Sequence, residues 1–168
     1  MNRLRYQLLA IILPLVFAVD QLTKLWIVRH LQIGESFTVI PGLFDIVHIT
    51  NRGAAFGFMS QLPDHLRIPF FHATSLLAVA AIGIYFIKSE ESTFGPYVAL
   101  ALILGGATGN IFDRLVRGEV VDFLSFHWYD SWATVLHWNF KLEWPSFNVA
   151  DMAISCSVAW LIARGFKK

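Results

Sequence analysis

The chain has 168 residues, of which 56% are hydrophobic and only 15% charged, with a formal net charge of +1. Soluble domains carry about 25% charged residues, so a mean hydropathy of +0.57 excludes an ordinary soluble domain and points to a membrane protein of one domain, residues 1–168. The near-neutral charge argues against a nucleic-acid partner, and the single cysteine, Cys156, excludes an internal disulfide or a multi-cysteine metal site.

Residues 8–19 form an unbroken apolar run behind Arg3 and Arg5. A basic start and a short apolar core are also the marks of a cleaved signal peptide. No small-x-small site follows, however, and apolar character resumes past Asp20 with Leu22, Leu25, Trp26, Ile27 and Val28. Residues 8–28 therefore reach the roughly 20 that a bilayer requires, and are expected to form a retained first transmembrane helix.

Phe37 to Ile40 and Leu43 to Thr50 are rich in β-branched and aromatic residues, with Pro41-Gly42 as a turn signal between them. A small sheet at the membrane surface is expected there. Asn51-Arg52-Gly53 is a second turn, leading into an interfacial segment at Ala54-Ala55-Phe56-Gly57. Residues 68–87, 94–112 and 147–163 are read as three further spans. The span 94–112, third in the chain, contains Gly105 and Gly109 at the GxxxG spacing, with Gly106 beside them, which lets a neighbouring backbone approach closely.

Between the last two spans, residues 123–145 carry Trp128, Trp132, Trp138 and Trp144. Tryptophan gathers at the lipid–water boundary, so this interval is expected to be a loop lying on the surface. Four spans put both ends of the chain on one side. Arg3 and Arg5 at one end, with Arg164, Lys167 and Lys168 at the other, favour the cytoplasm for that side. The expected fold class is thus membrane α-helical: four transmembrane helices with a small β-sheet and an interfacial segment on the outer (periplasmic) side.

Ionisable residues at the edges of spans are costly and suggest function by default. Asp20 and Lys24 have the i, i+4 order that favours a helical ion pair and are read as an architectural pair. Asn110, Asp113 and Arg114 fall at i, i+3 and i+4 on one helical face; Asp113 and Arg114 are either a structural pair or part of a site. Asp122 has no basic residue nearer than Arg117, and Asp151, with Asn148 one turn earlier, has no basic neighbour in sequence. Carboxylates without a basic partner at apolar positions suit acid–base chemistry. His72, His127 and His137 have no recognised ligand spacing, and Ser75, Ser155 and Ser157 belong to no nucleophilic constellation. Neither metal nor cofactor is expected, and Cys156 is read as a small packing residue.

Asp20-Gln21-x-x-Lys24, Thr50-Asn51-Arg52-Gly53-Ala54-Ala55-Phe56, Gly109-Asn110-Ile111-Phe112-Asp113-Arg114, Val120-Val121-Asp122-Phe123 and Phe147-Asn148-Val149-Ala150-Asp151 together resemble the lipoprotein signal peptidases, the signal peptidase II family. The five motifs run in order from the first span to the last. One departure is the interval from Phe126 to Ser146, longer and more aromatic than the family pattern. The resemblance implies an aspartyl endopeptidase of the bacterial inner membrane, with its site near the outer face; apart from it, a monomer is expected. It would remove signal peptides from prolipoproteins by cutting before a diacylglyceryl-modified cysteine. It further implies Asp122 and Asp151 as the catalytic pair. Asn51, Gly53, Asn110, Asp113, Arg114 and Asn148 would hold substrate or support the site, with Asp20 and Lys24 as the structural pair.

Two other readings compete. A small proton-coupled transporter would also use intramembrane carboxylates, but such carriers have internal repeats and mid-membrane sites; here no repeat is found and the acids fall at span ends. A non-enzymatic assembly factor docking through the glycine-rich third span leaves Asp122 and Asp151 without a purpose.

Overall fold

The computed structural model describes residues 2–52, 63–91, 93–135 and 138–166, with residues 2, 128–135 and 138–143 described by their backbone alone. Gly53 and the expected interfacial segment at 54–57 lie outside the described residues. Chain order is α1 (Asn2–His30), β1 (Ser36–Ile40), β2 (Phe44–Asn51), α2 (Asp64–Lys88), α3 (Gly95–Arg117), β3 (Val120–Val135), β4 (Trp138–Glu143) and α4 (Val149–Gly165).

The molecule is a four-helix membrane fold with a small antiparallel sheet at one end. Helices α1, α2 and α3 are long and apolar enough to cross a bilayer. Helix α4 has 17 residues, about 25 Å at 1.5 Å per residue, and turns Met152, Val158, Trp160 and Ile162 outward. Leu15, Leu22, Leu77 and Ile87 are likewise exposed on the other helices. In water such apolar surfaces mark interaction sites; here they face the hydrocarbon.

Helix α3 is the hub and packs against all three other helices. Its glycines make this approach feasible. A Cβ added at Gly109 would sit 2.5 Å from Asp20 Oδ2 on α1, so the acid on α1 occupies space that any other residue would fill. At the far end from the sheet, Phe86, Tyr97 and Leu100 form a buried cluster with Leu8, Leu9, Ile82 and Leu161, tying together the start of α1, the end of α2, the start of α3 and the end of α4. At the sheet end, Ile27, Val121 and Phe123 pack with Leu31, Ile46, Leu124 and Val149.

The sheet runs β1-β2-β3-β4, every pair antiparallel. Helix α3 ends at Gly118, whose φ of 79° is a left-handed cap with its N–H on Arg114 O, a conformation glycine adopts without penalty. Two residues later β3 begins, so the cap delivers the chain into the sheet. Ile49 of β2 opposes Asp122 of β3, and Asn51 opposes Val120. Phe147 bridges to Leu124, and the stacked rings of Phe44, Phe126 and Phe147 hold the start of α4 against β2 and β3.

The interval 123–145 departs from expectation. Most of it is strand, with the long β3 paired to β4 around an irregularity between His127 and Trp132. Tryptophan, the reason for expecting a surface loop there, also favours a pleated ladder. Of its tryptophans only the Trp144 side chain is described, and it is exposed. Cys156 also differs: it is exposed and lines an apolar groove of about 400 Å³ between α3 and α4, with Gly95, Val98, Leu102, Ser157 and Trp160.

Candidate active site

Three chain segments converge where α3 ends, β3 begins and α4 starts. Asn148 is the N-cap of α4. Its side-chain oxygen accepts from Asp151 N at 3.0 Å, while Asp151 Oδ2 accepts from Asn148 N at 3.3 Å, a reciprocal capping box. The cap leaves the Asn148 amide nitrogen free to point away from the helix. It donates to Asp122 Oδ1 at 2.7 Å, and lies 3.3 Å from both Asn110 Oδ1 and Val121 O. Asn148 is fully buried, so its amide has no competing water.

Asp122 is 3% exposed and takes a second hydrogen bond from Asn51 Nδ2 at 3.2 Å. It lies on β3, beyond the end of α3. Burial first, then the neighbouring Asp151 carboxylate, pushes the Asp122 carboxyl up to about 7, against the opposing hydrogen bonds from Asn51 and Asn148. Asp151 is half-buried and receives Asn110 Nδ2 at 2.8 Å on Oδ1. The two carboxylates are thus held by a shared frame of three asparagines. One faces the protein interior and the other opens outward.

Beneath this frame lies an ion cluster. Lys24, with no exposed surface, lies 2.8 Å from Asp20 and 2.7 Å from Asp113, and donates to Asn110 Oδ1 at 2.9 Å. Asp20 Oδ1 also accepts from Ala150 N in the first turn of α4 at 3.0 Å. Asp113 is paired with Arg117, and Gln21 spans Asp20, Gly109 O, Asp113 and Arg117.

The considered Asp113–Arg114 pair does not form. Adjacent residues on a helix diverge, while i, i+4 residues meet, so Asp113 takes Arg117 and Lys24 instead. Arg114 leans back to Asn110 O at 3.4 Å, half-buried on the side of Asp122 and Asp151. Arg117 and Gln21 are named in the sequence reading but given no role there, and the structure places both in the ion cluster. The i, i+4 spacing of Asp113 and Arg117 was the available signal. His127 pairs with Asp45 at 3.0 Å across β2 and β3, away from these acids. Among the described residues no group of three or more His, Cys, Asp or Glu is gathered as for a metal ion.

Known proteins align with this architecture over most of the chain. The family model described as Signal peptidase (SPase) II matches residues 12–167. The lipoprotein signal peptidase of Syntrophotalea carbinolica is 41% identical over 162 residues, covering 96% of this chain and 92% of that protein. That of Geobacter metallireducens is 42% identical over 156 residues, covering 93% and 88%. A bacterial membrane enzyme solved by the in meso method superposes with a TM-score of 0.78 at 32% identity, over 95% of this chain and 87% of the other. Family model, relatives and fold agree: this membrane-embedded chain belongs to the signal peptidase II family of proteases.

Proposed function

We propose that this protein is an aspartyl endopeptidase that removes signal peptides from prolipoproteins, cutting just before the diacylglyceryl-modified cysteine, with Asp122 and Asp151 as its catalytic pair. The observation that carries the reading is the shared asparagine frame, in which Asn148 binds both carboxyl groups and Asn110 binds Asp151. Two carboxyl groups that divide one proton between them are the minimal apparatus for activating water and polarising an amide together.

In this mechanism Asp151, the more exposed member, takes a proton from a water whose oxygen attacks the scissile carbonyl carbon. Asp122, whose burial favours the protonated form, donates its proton to the carbonyl oxygen, giving a neutral gem-diol. Collapse passes the proton held by Asp151 to the amide nitrogen, returns one hydroxyl proton to Asp122 and breaks the C–N bond, leaving a carboxylic acid and an amine. The pair ends with one proton, as it began, and its titration belongs to both members. Arg114 and Asn51 stand beside the acids and are positioned to hold peptide carbonyl groups; Gly53 is assigned to the same substrate-binding region.

The substrate's acyl chains add about 0.8 kcal/mol per buried CH₂, so lipid anchors the cysteine while an extended peptide crosses the pair. The sheet gives that peptide a platform beside Asn51. The protein is placed in the bacterial inner membrane as a single-domain monomer, with cytoplasmic termini and the sheet and site at the outer face, as the basic tails support. No metal or cofactor takes part. The test is cleavage of a lipidated and an unlipidated model peptide by purified protein. Rapid cleavage of the lipidated peptide alone is expected. A transporter or assembly factor cleaves neither, and that result would overturn the proposal.

A further inference from the structure

We infer that Lys24, one half of a pair that looks purely architectural, is a positioning residue that fixes the orientation of Asp151 through the side-chain amide of Asn110. The inference rests on Asp151 acting in the catalytic pair. An ammonium group has three N–H donors and no acceptor. At Lys24 the ammonium is ion-paired with Asp20 Oδ2 at 2.8 Å and Asp113 Oδ2 at 2.7 Å, and its side-chain hydrogen bond goes to Asn110 Oδ1 at 2.9 Å.

The third contact carries information. An amide can present either its oxygen or its nitrogen to a neighbour, but only the oxygen can face an ammonium. Lys24 therefore locks Asn110 with its nitrogen toward Asp151 Oδ1, 2.8 Å away. Asn148 Nδ2 on the same oxygen reinforces the choice. A second arm reaches the same carboxylate: Asp20, held by Lys24, accepts from Ala150 N, the residue before Asp151, and so fixes the first turn of α4. The cluster is balanced, two acids against Lys24 and Arg117, and has no charge of its own to offer the reaction. What it supplies is direction.

Charge balance also supplies the variant that separates positioning from folding. Lys24→Met alone leaves Asp20 and Asp113 with one cation. Asp20→Asn/Lys24→Met removes one charge of each sign, leaves Asp113 with Arg117, and keeps an oxygen at position 20 for Ala150 N. In folded, membrane-inserted protein this double variant is expected to lower kcat roughly 10- to 100-fold, the scale of a small misplacement of a reacting group, with KM within about twofold. Asn110→Ala, which leaves the ion cluster intact, is expected to do the same. Because both act through one hydrogen bond, combining them should lower kcat no further than the worse one alone.

Wild-type kcat in either folded variant, or losses in kcat that multiply, would overturn the inference. If the double variant yields no folded protein, Asn110→Ala decides alone: unchanged turnover refutes the relay, and a loss in kcat at constant KM supports it. Asp151→Asn run in parallel separates the two levels. An active Asp151→Asn removes the catalytic reading itself, whereas an inactive one beside a fully active double variant removes only the role of Lys24.

Discussion

The Asn148 amide donates to Asp122 Oδ1 at 2.7 Å while the same side chain caps the helix that carries Asp151. A single residue therefore sets the beginning of α4 and the distance between two acids that arrive from different parts of the fold. Stability and activity should separate when its two functions are dissected. Asn148→Ser retains an oxygen that caps a helix about as well as asparagine but is too short to reach Asp122. Its melting temperature should stay close to wild type while turnover falls at least about tenfold, toward the lower end of what acid–base catalysis contributes. Asn148→Ala should lose the cap as well, at about 1 kcal/mol. Thermal unfolding in detergent alongside cleavage rates reads both; equal activity in the serine variant would dissociate Asn148 from the pair.

Asp122→Asn and Asp151→Asn should each lower turnover by about 10²–10⁴-fold or more. The double variant should be little worse than either, since parts of one catalytic unit are non-additive. Binding of the lipidated peptide should survive, because lipid burial does not depend on the acids. Near-normal turnover in either single variant, measured on a lipidated substrate, would exclude the aspartyl mechanism.

The Asp122 carboxyl, pushed up to about 7 from its ordinary 3.8, gives two pH effects. The proposed mechanism needs one proton on the pair, so kcat/KM should fall as pH rises through about 7. The folded chain also holds a proton at Asp122 over a range in which the unfolded chain has released it. This contribution to stability is fully present below about 4 and is lost as pH rises through about 7. Asp122→Asn, neutral throughout, should therefore raise the melting temperature more at pH 8 than at pH 5. An equal shift at both values would mean that the carboxyl titrates normally.

Gly109→Ala should destabilise by about 1–3 kcal/mol, the usual cost of an extra methyl in a filled space. Its Cβ would meet Asp20 Oδ2 at 2.5 Å and push that carboxylate off Ala150 N and Lys24. Thermal unfolding of Gly109→Ala beside Gly83→Ala, where nothing lies within 4 Å of the added atom, is the comparison. Equal stability of the two would show that α1 and α3 give way freely.

Cys156→Ala should keep full cleavage. The thiol is exposed in the middle of α4, five residues beyond Asp151, in a groove with Gly95 and Trp160, and makes no hydrogen bond with either acid. Inactivation of folded Cys156→Ala would require a nucleophilic role that the acids do not leave room for.

The apolar runs alone determined that the chain crosses a membrane, because a span must satisfy its backbone internally and show an unbroken hydrocarbon-compatible surface. The motif residues likewise named the two acids and the asparagines around them, and the turn signals at Pro41-Gly42 located the first two strands. Partnership was another matter. Asp113 and Arg114 are neighbours in sequence, yet Asp113 joins Lys24 of α1 and Arg117 one turn on. Residues 123–145 carry interface-loving tryptophans, yet most of them lie in strands, since a ladder exists only once β2 and β4 supply its partners. Whether Asn110 turns its oxygen or its nitrogen to Lys24, and which oxygen of Asp20 meets Ala150 N, depends on three helices closing over glycines. Residue type and spacing carry chemical capacity and local periodicity; the direction of a hydrogen bond between distant segments is decided only by packing.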